Sequence, residues 1–256
     1  MRVATFNILH GRSIVDHRVD VDRFARAVRA LDADILAMQE VDRIQPRSHG
    51  ADLTAIAAAA MGADEHRFAA TMSGAPEVWT AATGEEQPDT AGYGIALLSR
   101  FPVERWRVLA LPGPARRVPM IFPGRLRPVL VQEERRAAVA AVVATPEGDL
   151  SVVATHLTYL PWWNSVQLRR LAELIETMPR PLILLGDLNI SGYRPARLTK
   201  MRPLALARTF PVDLPRRQLD HILGDGPVRV RTPAVALDLG VSDHRALRVD
   251  VSLNGS

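Results

Sequence analysis

An α/β fold, with mixed β-sheet at its centre and helices outside it, is predicted by three features of the sequence. Short β-type apolar runs alternate with stretches of helical periodicity along the chain. Hydrophobic residues make up 47% and charged residues 23% of 256, and a core at this length buries roughly 70–75% of the surface that the unfolded chain exposes. No internal repeat, low-complexity segment or linker divides the sequence, so residues 1–256 are read as a single domain.

The elements follow in order. VATF at 3–6 reads as a strand. Residues 21–31 place Val21, Phe24, Ala25, Val28 and Leu31 at helical spacing, and Asp20 precedes them as a candidate cap. DILAMQ at 34–39 is a strand, followed by a polar loop. A second helix spans about 52–62 and is closed by Gly62. Residues 73–92 read as a long surface loop, and GIALLS at 94–99 as a strand ended by Pro102. The prolines and glycines of 111–128 preclude one regular element. AAVAAVVAT (137–145) and LSVVATHL (150–157) flank the turn PEGD and form an antiparallel hairpin. A helix over 165–177 directs Val166, Leu168, Leu171, Leu174 and Ile175 inward. LILLG (182–186), LDHILG (219–224) and HRALRVDVSL (244–253) complete the strands.

Composition excludes several chemistries. With no cysteine there is no disulfide, thiolate zinc site, iron–sulfur cluster or cysteine nucleophile. Lys200 is the sole lysine and no GxxxxGK[ST] surrounds it, which removes a Walker-A site. The net charge of +4 does not by itself demand a nucleic-acid partner, although the arginine-dominated basic set suits anionic substrates. The longest apolar stretch, 137–144, is far short of the ~20 residues of a membrane helix, and the N-terminus lacks a signal-peptide core. A soluble, cytoplasmic monomer is the expectation.

The informative feature is where polar residues fall. Six apolar runs border residues of metal-ligand or acid–base type: Asn7, Glu40, His156, Asp187 with Asn189, Asp220 with His221, and Asp243 with His244. Each has a plain reading alone: a surface acid, a turn, a core histidine. Jointly they would line one sheet edge, where rigid strands hold them and solvent reaches them. Carboxylates so placed repel and cannot all stay ionised without a cation, and hard oxygen ligands suit Mg²⁺ or Mn²⁺.

TFNILHG (5–11), LAMQEVD (36–42), YGIALLSR (93–100), ATHL (154–157), GDLN (186–189), LDHIL (219–223) and SDHRAL (242–247) resemble, in order, the motifs of the endonuclease/exonuclease/phosphatase superfamily. The resemblance implies a four-layer α/β/β/α sandwich of two mixed sheets flanked by helices. It implies a Mg²⁺-dependent phosphoesterase that hydrolyses a phosphodiester by attack of an activated water, with Mn²⁺ as a substitute ion. Glu40 would be the principal metal ligand, with Asn7 and Asp243 near the same ion. Asp187 and Asn189 would position and activate water, His156 would hold a phosphate oxygen, and His244 would face phosphate with Asp220 behind it. EERRAA at 133–138 makes Arg135 a substrate contact, alongside Arg47 and His10 in the flanking loops. Two departures stand out: Ile95 where relatives often carry Asn, and Asn164 in place of the arginine of R-x-x-Q, with Gln167 kept. Trp162 and Trp163 fall on the rim, and Arg116, Arg117, Arg125 and Arg127 sit in a loop that can select substrate. The alternatives are a nuclease acting on DNA or RNA and a catalytically silent binding module on the same fold.

Overall fold

The computed structural model describes residues 1–74, 80–82, 89–114, 118–120, 129–131 and 133–253. In chain order the elements are β1 (Arg2–Asn7), α1 (Val21–Leu31), β2 (Ile35–Arg43), α2 (Leu53–Met61), β3 (Glu65–Ser73), β4 (Thr80–Ala81) and β5 (Gly92–Ser99). They continue with β6 (Val103–Leu111), β7 (Val118–Met120), β8 (Val129–Val131), β9 (Arg136–Thr145), β10 (Gly148–His156), α3 (Trp163–Leu174) and β11 (Leu182–Asp187). The last are α4 (Arg194–Thr199), β12 (Arg202–Pro203), β13 (Asp220–Asp225), β14 (Arg229–Val230), β15 (Val235–Leu237) and β16 (Ala246–Ser252). Among the described residues no helix is long and apolar enough to cross a membrane.

Two mixed sheets form the centre. One has the order β14-β16-β1-β2-β5-β3-β4, with β15 also on β16; the other has β12-β13-β11-β10-β9-β6. Period-2 alternation sorts their side chains into layers. Val3, Ile35, Ala37 and Leu97 of the first sheet meet Val139, Val152, Ile183 and Leu185 of the second in a shared core. On the first sheet's outer face, Ala4, Phe6, Leu36 and Met38 pack against Phe24, Val28 and Leu31 of α1 and Leu53 and Ala57 of α2. On the second sheet's outer face, Val153, Leu182 and Leu184 pack against Leu168 and Leu171 of α3. The expected α/β/β/α sandwich is therefore present.

Local chemistry sets the ends of the helices. The Asp20 carboxylate accepts from the Arg23 backbone N–H, and that of Asp52 accepts from Thr54 and Ala55, so both caps use orphan donors of a first turn. Gly62 closes α2 at φ 69°, the left-handed conformation.

The structure departs from the sequence reading at several points. Val166 does not face inward: α3 starts at Trp163 and buries Asn164, Gln167, Leu168 and Leu171, which turns Val166 to solvent. β2 does not stop at Gln39 but runs to Arg43. Strands β3 and β6 were not expected; they extend the two sheets beyond β5 and β9. The surface loop begins at the end of β3 and includes β4, with 75–79 and 83–88 outside the described residues. Of 111–128, Leu111 ends β6 and 118–120 pair with β8, while Arg116, Arg117, Arg125 and Arg127 lie outside the described residues.

A buried histidine near the site gives a prediction for stability. His221 Nε2 faces the Ile190 carbonyl at 2.8 Å and Nδ1 lies 3.4 Å from Gln218 Nε2, a pairing that suits the neutral ring. Burial holds its pKa below the ordinary 6.5. Below pH 6.5 the unfolded chain therefore takes up a proton that the native state refuses, and stability falls as pH falls. Urea unfolding from pH 7 to 5 should lose stability more steeply in the native protein than in His221→Gln. The difference is at most about 1.4 kcal/mol per pH unit, the value for one proton. Equal slopes would exclude this ring as a source of acid sensitivity.

Candidate active site

Six strands bring polar side chains to one edge of the sandwich. The parallel pairs β1–β2 and β10–β11 contribute the C-terminal residues Asn7, His156 and Asp187 and the late β2 residue Glu40. β13 and β16, antiparallel to β11 and β1, contribute Asp220 at a strand start and Asp243 and His244 in the turn just before.

Glu40 reaches the site through a bulge. The β2–β5 pairing shifts between Gln39 and Val41, and Glu40 is the extra residue, at φ 58°. A bulge lets successive inward residues be Met38 and Val41 and points the intervening side chain elsewhere. Asn189 (φ 51°) and Ser242 (φ 73°) are also left-handed without being glycine. Such strain persists only where surroundings enforce it, and here it coincides with the polar cluster.

Asp187 is the hub. Its Oδ2 accepts from Asn7 Nδ2 at 3.1 Å and lies 3.7 Å from His156 Nε2 and 3.8 Å from His244 Nε2. Its Oδ1 accepts from the Asn189 backbone N–H at 2.9 Å. Asn7 Nδ2 also donates to Glu40 Oε1 at 3.0 Å, so one amide ties carboxylates from the two sheets together. Asn189 Nδ2 donates to the Leu157 carbonyl at 3.0 Å and lies 3.4 Å from His156 Nε2.

His244 is held from behind. Its Nδ1 lies 2.9 Å from Asp220 Oδ2, and the Phe210 ring packs on it with centroids 4.9 Å apart. Thr209 Oγ1 accepts from the Asp220 backbone N–H at 3.4 Å. Ser242 fixes the turn, donating from Oγ to the Asn7 carbonyl at 2.6 Å and accepting from the His244 N–H at 3.0 Å.

Electrostatics separate the two imidazoles. Burial disfavours the His244 cation, but the adjacent Asp220, reinforced by Asp187 and Asp243, overrides it and pushes the pKa up to about 10. Burial, with the Arg136 charge and His244 adding to it, holds His156 well below the ordinary value. One ring is cationic and the other neutral at pH 7. Burial raises Asp187 to about 7, with Asp220 adding repulsion and His244 and Asn7 opposing it. Burial also raises Glu40, with Asp243 and Glu134 repelling it.

A hard divalent cation fits this donor set. Glu40 and Asp243 are close enough for their charges to repel, and Asp187, Asp220 and His244 place ligand-type atoms within 4.8 Å of one another. Asp220 Oδ1 is buried with no hydrogen-bond partner among the described residues. Asn7 stands beside Glu40: its Nδ2 donates to Glu40 and Asp187, while Oδ1 accepts from the Leu9 N–H at 3.2 Å. In this arrangement it binds carboxylates together.

The three substrate candidates fare unequally. Arg135 is exposed, and its neighbour Arg136, the first residue of β9, is the buried one, 3.0 Å from Glu133 and 3.4 Å from Glu134. Arg47 uses Nε and Nη2 on Asp42 at 2.8 and 2.7 Å and lies over the Tyr93 ring. His10 lies in a pocket beside the cluster. Sequence reasoning missed Arg136 and Ser242, and it noted Asn164 only as a departure from R-x-x-Q. Asn164 Nδ2 donates to the Asn189 carbonyl at 3.0 Å and shapes the Asn189 loop. Arg135 precedes β9, whereas Arg136 opens it opposite Leu111 of β6, and that pairing with a distant strand holds Arg136 in its buried position.

The model of the Endonuclease/Exonuclease/phosphatase family matches residues 4–244. A solved endonuclease/exonuclease/phosphatase from Beutenbergia cavernae is similar at TM-score 0.73 and 24% identity, over 100% of this chain and 72% of that one. A functionally unknown conserved protein from Enterococcus faecalis superposes at 0.68 with 18% identity, over 99% and 100%. A mannosyl-6-phosphatase from Bacteroides thetaiotaomicron does so at 0.64 with 15% identity, over 98% and 99%. No sequence match among curated proteins is found. A match across nearly the whole chain, on a sandwich whose edge gathers this cluster, means that the chain belongs to the endonuclease/exonuclease/phosphatase family, a family of divalent-metal-dependent phosphoester hydrolases.

Proposed function

We propose that this protein is a Mg²⁺-dependent phosphoesterase that hydrolyses a phosphodiester by attack of an activated water. The observation that carries the reading is the environment of Asp187 Oδ2, which has one amide donor and two imidazoles around it. A carboxylate so placed accepts a proton from water, and Asn189, tied to it through the backbone, orients that water. The His244 cation, braced by Asp220, donates to a phosphoryl oxygen as negative charge develops there. Neutral His156 offers a second contact to phosphate. Glu40 and Asp243 would hold the cation, with Mn²⁺ able to replace Mg²⁺. When bound, the ion supplies Lewis acidity at the phosphoryl group.

Bis-p-nitrophenyl phosphate tests the reading. The protein with Mg²⁺ or Mn²⁺ should release nitrophenolate, and Glu40→Gln should reduce the rate by about 10²–10⁴-fold. A native protein inert with both ions would defeat it.

A further inference from the structure

Beside the cluster, on the side of the β1–α1 turn, lies a pocket of about 770 Å³ lined by His10, Arg12, His17, Arg18, Arg47 and His49, with Val19. None of these lining residues is acidic. Asp42 engages Arg47, and the nearby Asp16 is turned to Arg23 at 2.7 Å. Arg12 has no salt bridge among the described residues, and its Nε is buried without a hydrogen-bond partner. A guanidinium that is partly withdrawn from water and lacks an anion is costly, and a planar fork suits phosphate oxygens. Burial, with the Arg47 and Arg12 charges adding to it, depresses the His10 pKa to about 3, so this imidazole is neutral at pH 7 and the positive charge of the pocket comes from its arginines.

The pocket is joined to the catalytic cluster through backbone. The Leu9 N–H donates to Asn7 Oδ1 at 3.2 Å, and the Arg12 carbonyl accepts from the Ser242 N–H at 2.8 Å. His10 and its neighbour Leu9 are both left-handed without being glycine, at φ 47° and 43°. Strain of this kind is found at ligand clamps.

We propose that this pocket is a second anion site, which seats a phosphate group of the substrate other than the one being hydrolysed. The inference rests on the phosphoesterase reading, and it narrows the substrate to molecules that carry at least two phosphates. A single-phosphate diester fills the catalytic cluster alone, whereas a polyphosphorylated one gains the contacts of Arg12 and Arg18 as well.

Calorimetric titration of the metal-free protein with inorganic phosphate at low salt tests the site without requiring turnover. One phosphate should bind; Arg12→Gln, checked for an unchanged fold by circular dichroism, should weaken it at least tenfold, and Arg18→Gln should weaken it less. Binding should fade steeply with added salt. A 5′-phosphorylated dinucleotide and an inositol bisphosphate then serve as competitors, and the better displacer identifies the source of the second phosphate. In turnover, Arg12→Gln should raise KM for the two-phosphate substrate tenfold at unchanged kcat. Phosphate binding that is absent, or equal in native protein and Arg12→Gln, overturns the second site and leaves the diester assay standing. Failure of the diester assay with phosphate binding intact removes the catalytic reading while the anion site remains.

Discussion

On the proposed function, replacing Asp187 by Asn is expected to lower phosphodiester turnover by about 10²–10⁴-fold, the usual cost of a lost general base. The substitution preserves shape, and the Asn189 N–H can still find an oxygen at the Oδ1 position. What disappears is the charge that accepts a proton and faces both imidazoles. Stability should move the other way. Burial raises the Asp187 carboxyl to about 7 from 3.8, so the folded state disfavours its ionised form relative to the unfolded state. At pH above 7 that carboxylate therefore detracts from stability, and a neutral amide relieves the penalty. kcat and urea midpoint measured together at pH 8 check both halves. Turnover within threefold of native would remove Asp187 from its catalytic role.

Gly186→Ala should be the most damaging change to the scaffold. Gly186 sits at φ 149° one residue before Asp187, and a Cβ there would lie 1.9 Å from the Thr155 carbonyl oxygen. No rotamer relieves a clash with backbone, so β10 and β11 must separate where Thr155 pairs with Gly186 and His156 with Asp187. A cost of about 4 kcal/mol belongs to this mechanism, a fall in Tm of roughly 8–16 °C for a chain of this size. Activity should drop even in molecules that stay folded, because the His156–Asp187 spacing is set by the same ladder. Thermal unfolding followed by circular dichroism decides; an unchanged Tm would mean that the strands part at no cost.

How much of this was legible beforehand depended on the physical signal each element leaves in sequence. The runs at 3–6 and 182–186 are largely apolar on both faces because each sheet is covered on both sides, and they were readable, as was 219–224 from its apolar Leu219, Ile222 and Leu223. Helix α1 was readable because its buried positions recur at helical spacing behind a capping Asp. β3 was not, since Glu65, His66 and Arg67 precede its buried residues and break the pattern at its start. β6, the edge strand of its sheet, alternates polar and apolar residues around an irregularity between Val103 and Arg105 that disguises the period. For the site, the residues flanking apolar runs were visible, and the structure gathers Asn7, Glu40, His156, Asp187, Asn189, Asp220 and His244 at one edge. The left-handed bulge at Glu40 and the choice of Arg136 over Arg135 depend on pairing register with distant strands, which local sequence does not encode.

The Ser242 hydroxyl resting on the Asn7 carbonyl spans 235 positions of sequence. β16, which follows that turn, lies between β1 and the pair β14–β15. A polypeptide growing on the ribosome thus makes Asn7 and Glu40, which bond each other, early, and waits for its last segment before the Ser242 hydroxyl reaches Asn7 and the Asp243 charge reaches Glu40. On the proposed function, turnover should double as a readout of finished folding, and a truncation that removes β16 should forfeit both.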